Sequence, residues 1–483
     1  MPAYSHLSEV YRPGFGLLTD LYQLTMAAGY YDQGIHERKA IFHLFYRKPP
    51  FGGDFALAAG LPLAIDLIQG LRFSVDDIQY LGRVKGADGK PLFKEPFLNY
   101  LQRMKFTGQL DAIPEGEIAL PHEPLLRVET NLIEAQLLET ALLTVMNFST
   151  LIATKAARVK AAAGEDSVLE FGLRRAQGID GALTASRAAY IGGCDATSNV
   201  WAGRYYGIPV KGTHAHSWVM VFPREIEAFE AYAAALPNNC IFLVDTYDTE
   251  EGVKNAIEVG QQLREKGHEM LGVRLDSGDL AALSITARRL LDEGGFPAAS
   301  IVASDSLDEY AITKLKGRGA KIDTWGIGTR MIVAGDQPAL GGVYKLAAIQ
   351  TAAGEWELRV KRSETPIKTS NPGRLGVKTY SLPDDGRPQM RQIHDTFQST
   401  PEAAVITAGG ERFDWPFSAM RTEEVLVPVF RDGELVLPAT SLASTRARAR
   451  KNWATWSGIR DFASFPRGLE PQVQKQKLAL LSL

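Results

Sequence analysis

The chain has 483 residues, 45% of them hydrophobic and 23% charged, which is ordinary globular composition and enough length for one large or two to three medium domains. Its formal net charge of −3, with the signs well mixed, excludes a global attraction for nucleic acid or an anionic membrane, so any anion site must be built locally. Two cysteines, Cys194 and Cys240, exclude a disulfide scaffold and suit a reducing compartment, and no stretch reaches the roughly 18 consecutive apolar residues of a membrane span.

The amino terminus, MPAYSHLSEVYRPGFG, lacks a basic segment followed by an apolar core. No secretory signal is expected there, and the default location is the cytoplasm. Residues 1–150 mix turns such as RKPPFGGD with short apolar runs, which predicts an α/β domain. It ends in ETNLIEAQLLETALLTVMNFSTLIATKAARVKAAAG, one or two long helices that are apolar nearly all round, closed by Gly164. Residues 151–350 hold eight β-prone runs: VLEFGLR, AAYIGG, PVKGTHA, CIFLVDT, LGVRLD, SIVASD, TWGIGT and GGVYKLAAI. Between them lie helical patterns such as TEEGVKNAIEVGQQLREKG, with Val253, Ala256, Ile257, Gly260 and Leu263 at helical spacing, Thr249 as a candidate cap and Gly267 at the end. Strands alternating with helices predict a parallel sheet, and eight of them predict an irregular TIM-like α/β barrel. Residues 351–483 continue with strand-like runs and turns to about Val429. They are expected to return to the first region and complete a second α/β domain from the two chain ends. The tail TSLASTRARARKNWATWSGIR reads as a basic helix with a solvated arginine face.

A barrel makes a chemical prediction, since its site lies at the carboxyl ends of the strands. Those ends carry Phe171 with Arg174, Asp195, His214 with His216, Asp245, Arg274 with Asp276, Ser304 with Asp305, and GIGT from Gly326 to Thr329. Turn chemistry also collects polar residues there, but Arg174, His216, Arg274 and Asp276 are not turn formers as a group. In VKGTHAHSWV, His214 and His216 fall on one face if the segment is a strand. A metal-dependent hydrolase would use both with further ligands such as Asp245 and Asp276, whereas a plain structural pair needs none. GIGTR offers unobstructed backbone N–H groups to a phosphate. RLDSGDL sets Arg274 beside Asp276, Ser277 and Asp279 where a helix begins, and Asp276 or Ser277 could simply cap that helix. Cations for phosphates together with carboxylates for Mg²⁺ or sugar hydroxyls fit a phosphorylated sugar.

The blocks LLTDLYQLTMAAGYY, LLTVMNFSTLIATKAARV, FGLRRAQG, YIGGCDATSNVWAGRYYGIPVKGTHAHS, GVRLDSGDL and GIGTR, in this order, resemble the nicotinate phosphoribosyltransferase family over most of the chain. The resemblance implies transfer of phosphoribose from phosphoribosyl pyrophosphate to nicotinate with Mg²⁺. It also implies coupled ATP hydrolysis, a homodimer with shared active sites and a place in NAD biosynthesis. Phe171 then resembles the aromatic that stacks on the pyridine ring, and Tyr22 a second aromatic supplied across a dimer interface. Arg274, with Arg174 close by, resembles the cation near the ring substituent. Asp276, Asp245 and Asp305 resemble the acids that hold the ribose, with Ser304 beside them. Gly326, Gly328 and Thr329 resemble the 5′-phosphate cradle. Arg47 resembles an arginine that reaches the phosphates from the neighbouring subunit, and Lys368 and Lys378 resemble cations that do likewise. The family histidine phosphorylated by ATP precedes serine, which makes it His216, with Ser217 toward the ring substituent and His214 a bystander. Asp195 lies where a carboxylate would repel nicotinate yet accept from nicotinamide, as an aspartate does in the related nicotinamide enzyme, so nicotinamide transfer stands as the alternative substrate reading. A non-catalytic binding protein would require decayed site residues, and none is seen.

Overall fold

The computed structural model describes residues 14–383, 386–398, 400–416 and 421–482; the reading of the amino terminus as lacking a signal lies outside the described residues over 1–13. The chain divides into two compact units, one comprising Met1–Thr150, Leu340–Ser441 and Lys451–Leu483, the other Leu151–Ala339 with Leu442–Arg450. Both are α/β, and the first is drawn from both ends of the chain.

The first unit holds a seven-stranded sheet ordered Trp356–Leu358, Gly342–Gln350, Lys39–Tyr46, Leu126–Asn131, Gln109–Ala112, Val427–Arg431 and Glu434–Leu435. Its interior strand KAIFHLFY is buried along nearly its whole length, as a strand covered on both faces must be. Gly342–Gln350, read from sequence as the eighth barrel strand, pairs antiparallel with Lys39–Tyr46 instead. Its apolar run satisfies either sheet, so periodicity could not assign it. A second, six-stranded sheet is built from segments between Leu375 and Leu469.

The second unit is built on a six-stranded, wholly parallel sheet: β1 (Ser167–Glu170), β2 (Ala196–Thr197), β3 (Ile241–Leu243), β4 (Gly272–Leu275), β5 (Ser300–Ala303) and β6 (Thr324–Ile327), in the order β2-β1-β6-β5-β4-β3. Two of the expected strands are not strands. AAYIGG is the end of the helix Ile179–Ile191, whose buried Ala182, Ala185, Ala188 and Ala189 follow helical spacing. Its glycines end the helix, Gly192 as the cap and Gly193 at φ 116°, a conformation that needs glycine. PVKGTHA contributes a single parallel bridge, Val210 to Thr197 of β2.

That segment nevertheless joins the two edges of the sheet. Thr197 N–H donates to Pro209 and Lys211 N–H donates back to Thr197, both at 3.0 Å, on the β2 side. Three residues after Lys211, His214 Nε2 accepts the N–H of Leu243 in β3 at 3.2 Å. The ring of an irregular barrel is therefore closed partly by a side chain. Helix starts follow capping chemistry: Asp248, not Thr249, caps Thr249–Glu265, and Gly267 at φ 82° follows its end. Asp279, not Asp276 or Ser277, caps Leu280–Glu293 through the N–H groups of Ala281 and Ala282. Asp276 is thereby left for the strand end.

Candidate active site

At the carboxyl ends of β3 to β6 the pairing register sets Asp245, Asp276 and Ser304 just past their strands, with Arg274 two residues before Asp276. The guanidinium of Arg274 organises this end. Its Nε donates to Ser304 Oγ at 2.8 Å, Nη2 to Asp276 Oδ1 at 2.9 Å and Nη1 to Thr213 Oγ1 at 3.1 Å. Ser304, 4% exposed, also donates to Asp276 Oδ1. Burial pushes the Asp276 carboxyl up, but the Ser304 hydrogen bond and the Arg274 charge outweigh it and hold the group below its ordinary range. Asp245 Oδ2 accepts from the Asp276 N–H at 2.8 Å and from Ser277 Oγ at 2.7 Å, while Oδ1 is buried without a hydrogen-bond partner.

Phe171 follows β1, its N–H donating to Ile327 of β6 at 2.8 Å. Its ring lies so close to the backbone of β6 that a Cβ on Gly326 would come within 2.8 Å of two ring carbons. Glycine at this position is a requirement of the ring, not of a turn. Arg274 Cζ stands 5.9 Å from the ring centroid, a cation–π distance. Below Phe171, Glu170 is fully buried and accepts from Ser186 Oγ at 2.8 Å, from Thr197 Oγ1 at 2.6 Å and from the Gly172 N–H. Three donors meet the need of a buried carboxylate, and they pin the turn that carries the aromatic ring.

The two histidines separate. His216 opens the short helix His216–Met220; its Nδ1 lies 3.1 Å from Thr246 Oγ1 and its Nε2 3.7 Å from Asp276 Oδ2. His214 is 8% exposed and turns away into Phe229, Tyr232 and Phe242, with ring centroids 6.0, 4.9 and 6.4 Å away. Burial, helped by the nearby Arg274 charge, lowers its pKa to about 4, so it is neutral at physiological pH. With Nε2 accepting a backbone N–H, His214 and His216 do not present a shared ligand pair. Among the described residues, no three or more His, Cys, Asp or Glu are gathered as a metal group.

Asp305 ends β5 exposed, at φ 128°, a backbone conformation rare for a residue with a side chain. Gly328 precedes the short helix Thr329–Ile332, whose Thr329 is exposed, and Arg330 pairs with Asp336 at 2.9 Å. Arg174 is exposed in the 3₁₀ turn Leu173–Arg175 beside Phe171, and Ser217 is exposed beside His216.

Asp195 does not join this group. It precedes β2, its N–H donates to Val168 at 2.7 Å, and its Oδ2 accepts the Val168 N–H at 3.0 Å, which places it at the amino-terminal end of the strands. Arg446 binds its Oδ1 at 2.7 Å and Lys160 approaches Oδ2 at 3.4 Å. Burial pushes this carboxyl up, but the Val168 N–H and the two cations hold it below its ordinary range. Of the four arginines expected on a solvated face, Arg446 instead stacks 4.8 Å over Tyr190, while Arg450 and Arg460 are exposed.

Four expected site residues belong to the other unit. Tyr22, 49% exposed, is on the helix Leu21–Asp32; Arg47 follows the strand Lys39–Tyr46, with its Nε buried and unpartnered; Lys368 ends the turn Pro366–Lys368; and Lys378 pairs with Glu424 at 3.3 Å. Sequence reading missed Thr213, Thr246 and Glu170. A lone glutamate inside the apolar VLEF was the one signal available, because a charge in a buried strand has to have dedicated partners.

A cation, two carboxylates, a hydroxyl, a histidine and an aromatic face thus meet at the carboxyl ends of a parallel α/β sheet, the end where α/β barrel enzymes place their sites. Family models for the nicotinate phosphoribosyltransferase N-terminal domain and for the nicotinate phosphoribosyltransferase family match residues 17–147 and 167–398. The chain is 50% identical to the nicotinate phosphoribosyltransferase of Bacillus subtilis (strain 168) over 362 residues, 75% of this chain and 72% of that one. It is 37% identical to the Homo sapiens nicotinate phosphoribosyltransferase over 497 residues, 90% of each. The crystal structure of human nicotinic acid phosphoribosyltransferase superposes with a TM-score of 0.81 at 32% identity, covering 96% of this chain and 99% of that one. The chain belongs to the nicotinate phosphoribosyltransferase family.

Proposed function

We propose that the enzyme joins nicotinate to phosphoribosyl pyrophosphate, giving nicotinate mononucleotide and pyrophosphate for NAD biosynthesis. The observation that carries the site assignment is the convergence of Phe171, Arg274, Asp276 and Ser304 in the domain matched to the family. The pyridine nitrogen already offers a lone pair, so no general base is needed. Its pair forms the bond to the ribosyl C1 as the C1–oxygen bond breaks and pyrophosphate leaves with those electrons. The work of the protein is to hold the ring and the sugar in line and to stabilise separated charge.

Phe171 stacks on the ring, and Arg274, within cation–π distance of Phe171, faces the nicotinate carboxylate with Arg174 and Ser217 at the same end. Asp276, Asp245 and Asp305 accept the ribose hydroxyls, and Gly326, Gly328 and Thr329 cradle the 5′-phosphate. The unpartnered Oδ1 of Asp245 and the ionised Asp276 are hard oxygen donors suited to Mg²⁺. When bound, Mg²⁺ supplies charge neutralisation for the departing pyrophosphate. Arg47, Lys368 and Lys378 reach the phosphates in the site of a second copy, where Tyr22 also acts. The exposed apolar residues Leu17, Leu18, Leu21, Tyr22 and Met26 support such a homodimer. ATP acts as co-substrate by phosphorylating His216, the half-exposed histidine next to Asp276. No described helix is long and apolar enough to cross a membrane, in keeping with the cytoplasmic location proposed here.

Phe171→Ala tests the ring assignment. The apparent KM for nicotinate is expected to rise about tenfold while that for phosphoribosyl pyrophosphate holds. An unchanged nicotinate KM removes Phe171 from the ring site.

A further inference from the structure

Thr246, the residue after Asp245, has no part in holding either substrate in the reading above, yet its hydroxyl is the nearest polar partner of the His216 ring. Its Oγ1 lies 3.1 Å from Nδ1, and the opposite ring nitrogen faces Asp276 Oδ2 at 3.7 Å. These two neighbours make unequal demands. A carboxylate accepts only, so the ring edge facing Asp276 favours a nitrogen that carries hydrogen. A threonine hydroxyl can donate or accept, so it adapts to whichever form the carboxylate selects. With hydrogen on Nε2, Nδ1 keeps its lone pair and the Thr246 O–H donates to it.

We infer that Thr246 is a positioning residue for phosphoryl transfer to His216: it fixes the ring so that Nδ1 is the nucleophile and Nε2–H stays on the side that faces Asp276. The inference rests on the phosphohistidine reading and deepens it. In the step, the Nδ1 lone pair forms the N–P bond to the γ-phosphoryl group. The bond from that phosphorus to the bridging oxygen breaks, and ADP leaves with the electron pair. The Nε2 proton is retained, and the resulting positive ring faces the Asp276 carboxylate. The Thr246 hydroxyl, displaced from Nδ1, turns to donate to a phosphoryl oxygen. Its place at the end of β3, beside an aspartate whose Oδ2 is bound by Asp276 N–H and Ser277, keeps the hydroxyl where the ring needs it.

The test is phosphoenzyme formation from γ-labelled ATP in the wild type, Thr246→Ser, Thr246→Val and His216→Ala, with folding checked by thermal denaturation and the labelled nitrogen identified by ³¹P NMR. Wild type and Thr246→Ser are expected to label on Nδ1 at similar rates. Thr246→Val, of nearly equal volume but without a hydroxyl, is expected to label about 10-fold to 100-fold more slowly, with part of the label on Nε2. A folded Thr246→Val that labels at the wild-type rate on Nδ1 alone overturns the role of Thr246 and leaves the phosphohistidine intact. A wild type that takes no label, or His216→Ala that labels as well as wild type, overturns the phosphohistidine reading and the inference with it.

Discussion

The ring of His214 accepts the backbone N–H of Leu243 at 3.2 Å, so a side chain stands in for a strand at the seam of the sheet. His214→Ala removes that acceptor, strands a buried N–H and empties a space among Phe229, Tyr232 and Phe242. The expected loss is about 2–4 kcal/mol of stability, read by denaturant unfolding. His216→Ala, at a residue whose side chain is 39% exposed, is expected to cost less than a quarter of that while abolishing ATP stimulation. Equal stability loss in the two variants would contradict the division of roles.

Three histidines withdrawn from solvent, His43 and His214 buried and His122 partly buried, also set a pH dependence. His214 falls from 6.5 to about 4, His122 to about 4 and His43 to about 3, in each case with burial as the largest cause. A base whose folded pKa is lowered binds fewer protons folded than unfolded between the two values. Stability is therefore full above pH 6.5 and falls as the pH drops from there toward about 4. Thermal melts across that range should show the decline, with a shallower slope in His214→Gln. A melting temperature that is flat or rises on acidification would contradict it.

Five of the six strands, β1 and β3 to β6, and most of the polar residues at their carboxyl ends were legible in the sequence because they are short apolar runs bounded by turn residues; the two-residue β2 was not. The failures have local causes. Tyr190-Ile191 before two glycines looks like a strand end, but the alanines upstream decide for helix and the glycines become its terminus. Pro209–His216 carries a strand-like composition, yet its edge contacts come from one backbone bridge and one imidazole, which no periodicity encodes. The convergence of Arg274, Asp276 and Ser304 could be read from strand order. Thr213 and Thr246 could not, since a threonine in a turn has no pattern of its own.

Arg274 makes three hydrogen bonds to side chains from the three nitrogens of a rigid planar fork, a spacing that one ammonium nitrogen cannot reproduce. Arg274→Lys keeps the charge and loses the geometry. Its kcat/KM is expected to fall about 100-fold, with nicotinate KM affected more than phosphoribosyl pyrophosphate KM. Near wild-type kinetics would leave Arg274 as a fold element only.

Asp195 was the residue that kept an amide substrate open, and its place at the amino-terminal end of the strands, held by Arg446 and Lys160, removes that argument. Asp195→Asn is expected to lower the melting temperature without changing the ratio of nicotinate to nicotinamide use. A shift of that ratio toward nicotinate would return Asp195 to the ring site.

The measurement to make first is mononucleotide formation from phosphoribosyl pyrophosphate and Mg²⁺ by the wild type, with nicotinate and nicotinamide in parallel, each with and without ATP. Preference for nicotinate, with a rate raised by ATP, is expected from the proposed roles of Arg274 at the ring substituent and His216 as the phosphorylated residue. Preference for nicotinamide, or no product from either pyridine, would contradict the assignment of the site.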